Sequence, residues 1–559
     1  MKKVIALSMT ALLAMTGLVG CRDGLEGEIE IDHTKTQLYV YNYDGGVGSE
    51  WFDKVVARFE QEYAGEHFEQ DKTGVQIIPK KTKSGFDSLL QSSKNAVFFV
   101  QQAYYNELIS QNKIMDITDV VKAVDGNGVS IESRLTEQQK DAFTALDGNY
   151  YALPHYTVYS GVTYDKDLFE ERKLYLSKAG GFTNYELSYD EDPEYCNLSV
   201  GPDGVAGTYD DGLPSTIEEF SKLCAHMVRM DIIPFIYSGA YQAYSTNLIN
   251  GLWAAYTGAE DFSVNFTLDS GDKEMEYVSG FDAQGNPTYA STKITMENAY
   301  YTKAQSGKLY ALQFLEEAYK NGWFDDSSFN KSISHTDCQR KYIYSYPESE
   351  VNPSQKPIAM LIEGSYWYNE ANQILQDAAN KFPLRKDRNF AMMPLPTRYD
   401  TTTAAKKNTL VDANSSFAFL SANVKDDPVA VQLGKEFLKF CYTEESLQEF
   451  TVTTGVAKGV QYDLTPAQYG SMSGFYKNSY DIQKASNIVY PYASNRIFLN
   501  HQADFAFAQD TRLWTSGSFA MAMGAIKDYK YTAQKYFEPW TNFETLKGQW
   551  DKSYGKYYE

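Results

Sequence analysis

The chain has 559 residues, too many for one hydrophobic core, so two or more lobes are expected. Its formal net charge of −22 is spread along the sequence and argues against nucleic acid or an anionic lipid surface as partner. Aromatic residues make up 15% of the chain, with 45 tyrosines, more than a core requires. Tyr stacks and hydrogen-bonds at once, which suits polar ligands with flat apolar faces.

Lys2 and Lys3 precede an uncharged apolar run from Ile5 to Val19, which ends at Leu18-Val19-Gly20-Cys21. A small residue just before a cysteine at that point is the pattern of a bacterial lipoprotein signal. It predicts cleavage before Cys21, acylation of the Cys21 thiol, and a body held on the extracellular face of the membrane. An ordinary secretory signal with a chance cysteine is the bland alternative. Residues 21–35 read as a polar tether.

Gln37 to Tyr43 alternates and reads as a strand, Asp44 to Ser49 as a glycine loop, and Glu50 to Tyr63 as an amphipathic helix. Strands follow at 75–78 and 96–100, with helices at 85–91 and 104–111. Gly180 to Leu213 is polar, acidic and rich in turns. Ser215-Thr216-Ile217-Glu218 reads as a capping box for a helix running to Met230. Next come a strand at 233–237, a helix at 248–256, hairpins over 263–295, a helix at 309–320, a strand at 359–362 and a helix at 366–379. Strands at 390–393 and 417–420, helices at 429–441 and 446–450, and a helical C-terminal part from about His501 complete the pass. The alternation predicts an α/β fold with mainly parallel sheets flanked by helices. Cys196, Cys224, Cys338 and Cys441 form no CxxC pair, so zinc or thiol redox chemistry is poorly supported. A Cys196–Cys224 bridge stays open.

Several motifs resemble, in order, those of the solute-binding proteins of ABC importers, in the carbohydrate-type family related to maltodextrin-binding protein. They are the lipobox with Leu38 to Gly46, Tyr151-Ala152-Leu153-Pro154 followed by Tyr164-Asp165-Lys166-Asp167-Leu168-Phe169, Ala359-Met360 to Glu363-Gly364-Ser365-Tyr366-Trp367, Met393-Pro394-Leu395-Pro396, and Thr454-Gly455. Asp165 stands where Asn is usual in the family. The resemblance implies a two-lobed periplasmic-binding-protein-like fold of type II. Lobe one would take 36–158 and about 398–452, and lobe two 159–397 and 453–559, with insertions at about 180–214 and 263–300. Chain crossings near Tyr159, Thr397 and Thr453 would form a hinge. The family implies a binding protein rather than an enzyme, with a carbohydrate in the cleft, permease subunits as partners and no required cofactor. It implies a monomer.

Within that frame the loop from Asp44 to Ser49 lets ligand approach the backbone, Glu50 accepts hydroxyls and Trp51 stacks. Gln101, Gln102 and Tyr104 follow a strand at the carboxyl edge of the sheet, where open α/β sheets bind ligands. His155, Tyr156 and Tyr159 lie at the first crossing, and Tyr241 and Tyr244 follow the strand at 233–237. Glu363, Tyr366 and Trp367 would form the opposite jaw, and family position adds Trp514 as a platform. For each aromatic, plain packing is the competing role. The run from Gly201 to Gly212 places Asp203, Asp210 and Asp211 in a glycine-rich loop, a pattern that suits structural Ca2+ or merely a solvated loop. A secreted glycoside hydrolase and a peptide-binding receptor remain as alternatives, although no GxSxG, HExxH or Cys/His signature is present.

Overall fold

A computed structural model describes residues 30–83, 86–101, 105–182, 198–241, 243–413, 416–491 and 532–558. The predictions at Cys21, Cys196, Gln102, Tyr104 and Trp514 lie outside these residues.

The chain opens with β1 (Thr36–Tyr43), β2 (Val75–Thr82) and β3 (Val97–Val100), with β1 between the other two and parallel to both. The helix Glu50–Glu62 turns Trp51, Phe52, Val55 and Phe59 inward onto this sheet. The short β4 (Leu153–Pro154) completes lobe one at the sheet edge. After a crossing, β5 (Ser160–Asp165) begins lobe two and β6 (Ile233–Ile236) follows. A hairpin of β7 (Met275–Phe281) and β8 (Pro287–Thr292) stands apart from both main sheets. β9 (Ile358–Gly364), buried at every position, and β10 (Phe390–Met393) complete the order β10-β5-β9-β6. The chain then runs through β11 (Thr409–Val411), which pairs with the late β13 (Asn487–Val489). Between them, β12 (Phe417–Leu420) inserts into the lobe-one sheet, whose order is β2-β1-β3-β12-β4.

Each of the two main sheets is mixed rather than mainly parallel. β12 lies antiparallel to β3 and β4, and β5 lies antiparallel to β9 and β10. The reason is connectivity: β5 and β12 enter from the other lobe and are not bound by the right-handed crossover that makes neighbours parallel.

Two further expectations are corrected. The cap of the helix Ile217–Arg229 is Thr216 with Glu219, one residue later than read, and both reciprocal bonds form. Residues 259–267 are helical, so the predicted hairpins reduce to one. Cys224, Cys338 and Cys441 are free and buried, and Cys196, the other half of the open pairing, lies outside the described residues.

Three extended segments run side by side between the lobes. Residues 155–159 form the middle one. His155 N–H donates to Ser416 O at 2.9 Å and Ala413 N–H to Val158 O at 2.8 Å on one side. Thr157 N–H donates to Ala457 O at 3.1 Å on the other.

Candidate functional site

The carboxyl ends of β1, β3, β6 and β9 lead into loops whose side chains meet between the lobes, the position open α/β sheets use for ligands. The loop after β1 turns at Gly46, with φ of +58°, a conformation that side chains with a Cβ seldom adopt. A Cβ there would lie 3.4 Å from Gln101 Nε2 in lobe one and 3.8 Å from Tyr366 Cγ in lobe two. The two jaws therefore approach each other at this turn. Tyr366 packs on the lobe-one core, and Gly364 makes its position available, because a Cβ at 364 would sit 2.3 Å from the Tyr366 ring.

Behind Tyr366 is a buried polar cluster. Gln339 Nε2 donates to Glu363 Oε1 at 3.3 Å and to Glu370 Oε2 at 3.2 Å, while Gly364 N–H donates to Glu363 Oε2 at 2.9 Å. Gln339 Oε1 is buried without a partner. Burial, and next the charge of Glu370, push the Glu363 carboxyl up to about 8. Glu363 is therefore mostly protonated at neutral pH, so the cluster does not hold two bare negative charges side by side. Burial also raises Glu370, with His335 and Lys83 nearby pulling the other way. Tyr244 and Tyr366 are both raised, first by burial and then by the Glu363 charge. Phenol, amide and carboxyl groups that can donate and accept thus back the Tyr366 ring from beneath the cleft surface.

The other expected residues divide between cleft and core. Asp44 accepts from the Ser49 hydroxyl and so fastens the loop. Glu50 is exposed and paired with Lys54 at 2.8 Å. Gln101 donates to the Tyr156 hydroxyl, which brings both to the cleft side of the crossing. Tyr241 is half exposed at the rim, 5.7 Å from the His335 ring.

Trp51 and Trp367 are not platforms. Trp51 is buried on the inward face of its helix, edge-on to Phe99 and Phe450, both at 5.2 Å. Trp367 is fully buried among Phe390, Phe475 and Tyr342. Each is the large apolar residue nearest the core at the start of a helix, and burying it gains more than exposing it at the rim. Tyr159 and His155 are likewise buried. Tyr159 donates to Ser479 O at 3.3 Å, and His155 faces Lys458.

In the 201–212 loop the three carboxylates all accept from backbone groups, as in the solvated-loop reading that stood beside the cation reading. They cap the loop's own turns: Asp203 accepts from Val205 N–H at 2.7 Å, Asp210 from Asp203 N–H at 2.9 Å, and Asp211 from Gly207 N–H at 2.7 Å. Among the described residues no three His, Cys, Asp or Glu side chains form a group that could hold a metal ion.

The sequence reading overlooked Gln339, Glu370, His335 and Lys458. Glu370 ends the short helix Trp367–Glu370, while His335 and Gln339 lie on the helix His335–Val351, whose interior Pro347 reads as a breaker. The Ser334–Asp337 capping box was the available signal for it.

Residues 36–220 match the family described as bacterial extracellular solute-binding protein, so the resemblance drawn from the motifs holds for that stretch. No curated protein matches the sequence. Among solved structures, a chitin oligosaccharide binding protein is 15% identical and aligns over 93% of this chain and 99% of its own, with a TM-score of 0.51. The GacH receptor of Streptomyces glaucescens, solved unliganded and with acarbose, is 12% identical over 94% and 99%, with a TM-score of 0.50. At these identities the likeness is one of fold, and it is the two-lobed α/β fold described above.

Proposed function

We propose that this protein is a membrane-anchored extracellular receptor that holds a carbohydrate, an oligosaccharide, between its lobes and delivers it intact to an ABC importer. The observation that carries the reading is Tyr366 of lobe two set against the Gly46 turn and Gln101 of lobe one, with Glu363, Gln339 and Tyr244 behind it. An aromatic face backed by amide and carboxyl groups suits a pyranose, which has an apolar face and a hydroxyl edge. The match of residues 36–220 and the sugar-binding titles of the structural neighbours support the same reading.

The test is a thermal-shift screen against neutral glycans, followed by calorimetry and analysis of the recovered ligand. Binding only to the folded state raises the melting temperature. Recovery of the glycan unchanged is expected. Binding of a peptide but of no glycan, or release of new reducing ends, would overturn the reading. Lobe closure would appear as a smaller radius of gyration in scattering with ligand. Anchoring rests on the signal at Cys21. Cys21→Ser is expected to move the protein out of the membrane fraction, and retention after a high-salt wash would refute the anchor.

A further inference from the structure

A second group of tyrosines gathers on lobe two away from the cleft. Tyr256 ends the helix Ala243–Thr257, whose first turn carries Tyr244 of the cleft wall. Twelve residues of helix separate the two sites by about 18 Å. Tyr310, from the helix Ser306–Lys320, lies 4.4 Å from the Tyr256 ring and 4.3 Å from the Tyr399 ring. Tyr310 also donates to the Tyr289 hydroxyl of β8 at 2.5 Å.

Part of this cluster has an evident structural duty. Tyr289, Tyr310 and Tyr256 tie the β7–β8 hairpin to the two helices. Tyr399 does not share that duty. It comes from the loop after β10, lies tilted by 32° over Tyr310, and keeps 41% of its surface exposed. Beside it opens a groove of about 430 Å3 whose walls include Tyr310, Tyr399, Glu218, Gln313, Glu317 and Asp400. That volume is within the range of small-molecule sites.

We propose that this groove is a second carbohydrate site, on lobe two away from the cleft, which takes a sugar ring of a neutral polysaccharide against Tyr399, whose ring rests on the buried Tyr310. The exposed side of the Tyr399 ring offers apolar contact to the C–H face of a pyranose, with the buried Tyr310 ring supporting it from behind, and the carboxylates and the Gln313 amide offer acceptors to its hydroxyls. Three carboxylates on the walls, against Lys222 alone, disfavour an acidic polymer. The groove is open to solvent, so it does not enclose a chain longer than the ring it holds. The site would hold the receptor near the polymer from which its transported oligosaccharides are released.

Native electrophoresis in gels cast with soluble starch, xylan, mixed-linkage β-glucan or galactomannan tests this directly, since the chain is strongly anionic and migrates on its own charge. The wild-type protein is expected to be retarded by at least one polymer. Tyr399→Ala and Gln313→Ala should each abolish the retardation at unchanged melting temperature, while Tyr366→Ala in the cleft should keep it. The proposal is overturned if none of the four polymers retards the protein. It is equally overturned if Tyr366→Ala abolishes the retardation and Tyr399→Ala preserves it, because the cleft would then be the only site.

Discussion

Lys458 Nζ lies 2.8 Å from His155 Nδ1, and this contact ties together two of the three segments that cross between the lobes. Both side chains are buried. The lysine is surrounded by the rings of Trp51, Phe99, Tyr442 and Phe450, at 4.8 to 5.3 Å. Burial pulls the lysine down to about 7, and burial together with the Lys458 charge holds His155 well below its ordinary value. Near neutral pH the pair carries at most one proton beyond the neutral state, with Lys458 donating to an unprotonated imidazole nitrogen.

The sign of the pH effect follows. Unfolded Lys458 titrates near 10.5 and folded Lys458 near 7, so the folded state binds fewer protons across that window. Its contribution to stability is fully present above 10.5 and is lost as pH falls to about 7. Lys458→Met removes this linkage. Melting temperatures of the two proteins from pH 7 to 10 should show the variant gaining most, relative to wild type, at pH 7. A constant difference across the range would refute the assignment.

Glu363 works in the opposite direction. Its folded value of about 8 lies above the unfolded 4.5, so the stability tied to its proton is complete below 4.5 and is lost as pH rises through 8. Glu363→Gln mimics the protonated acid. The variant should melt with wild type at pH 4.5 and progressively above it toward pH 8.5. Parallel melting curves over that range would show that the carboxyl is already ionised in the fold.

Tyr366→Ala should weaken glycan binding about two- to tenfold, the loss expected for one aromatic platform worth about 0.5–1.5 kcal/mol. Its melting temperature without ligand should move far less than that of a core variant, because the ring packs at the junction of the lobes. Calorimetry on the best ligand from the screen decides the matter, and an unchanged Kd would remove Tyr366 from the site.

Trp51→Ala and Trp367→Ala should behave as core deletions, each destabilising by about 3–5 kcal/mol. Denaturant unfolding measures this. A variant that keeps wild-type stability but loses ligand would return that tryptophan to the cleft wall.

Most strands and helices were legible because burial imposes a period. The Phe52, Val55 and Phe59 stripe and the apolar runs at 359–362 and 417–420 allow few other readings. The helix at 259–267 was misread because Phe262, Val264 and Phe266 alternate like a strand, and only packing of Phe262 against Trp253 reveals the helix. The helix from His335 was hidden by Pro347, which its surroundings accommodate.

The sequence by itself determined the α/β class, the order of the elements and the ends of strands where a ligand site would lie, because these follow from periodicity and local turn chemistry. It also singled out Glu363, Tyr366 and Trp367 by their place at the carboxyl end of β9 and just beyond it. Only the tertiary structure decided which aromatic rings face the cleft. Trp51, Trp367 and Tyr366 sit in similar local sequence settings, yet two are buried and one reaches the other lobe. Local sequence cannot make that choice, because it depends on how much apolar surface distant segments bring to each ring. The same holds for the Lys458–His155 contact, whose partners are 303 residues apart and meet only because both strands cross between the lobes.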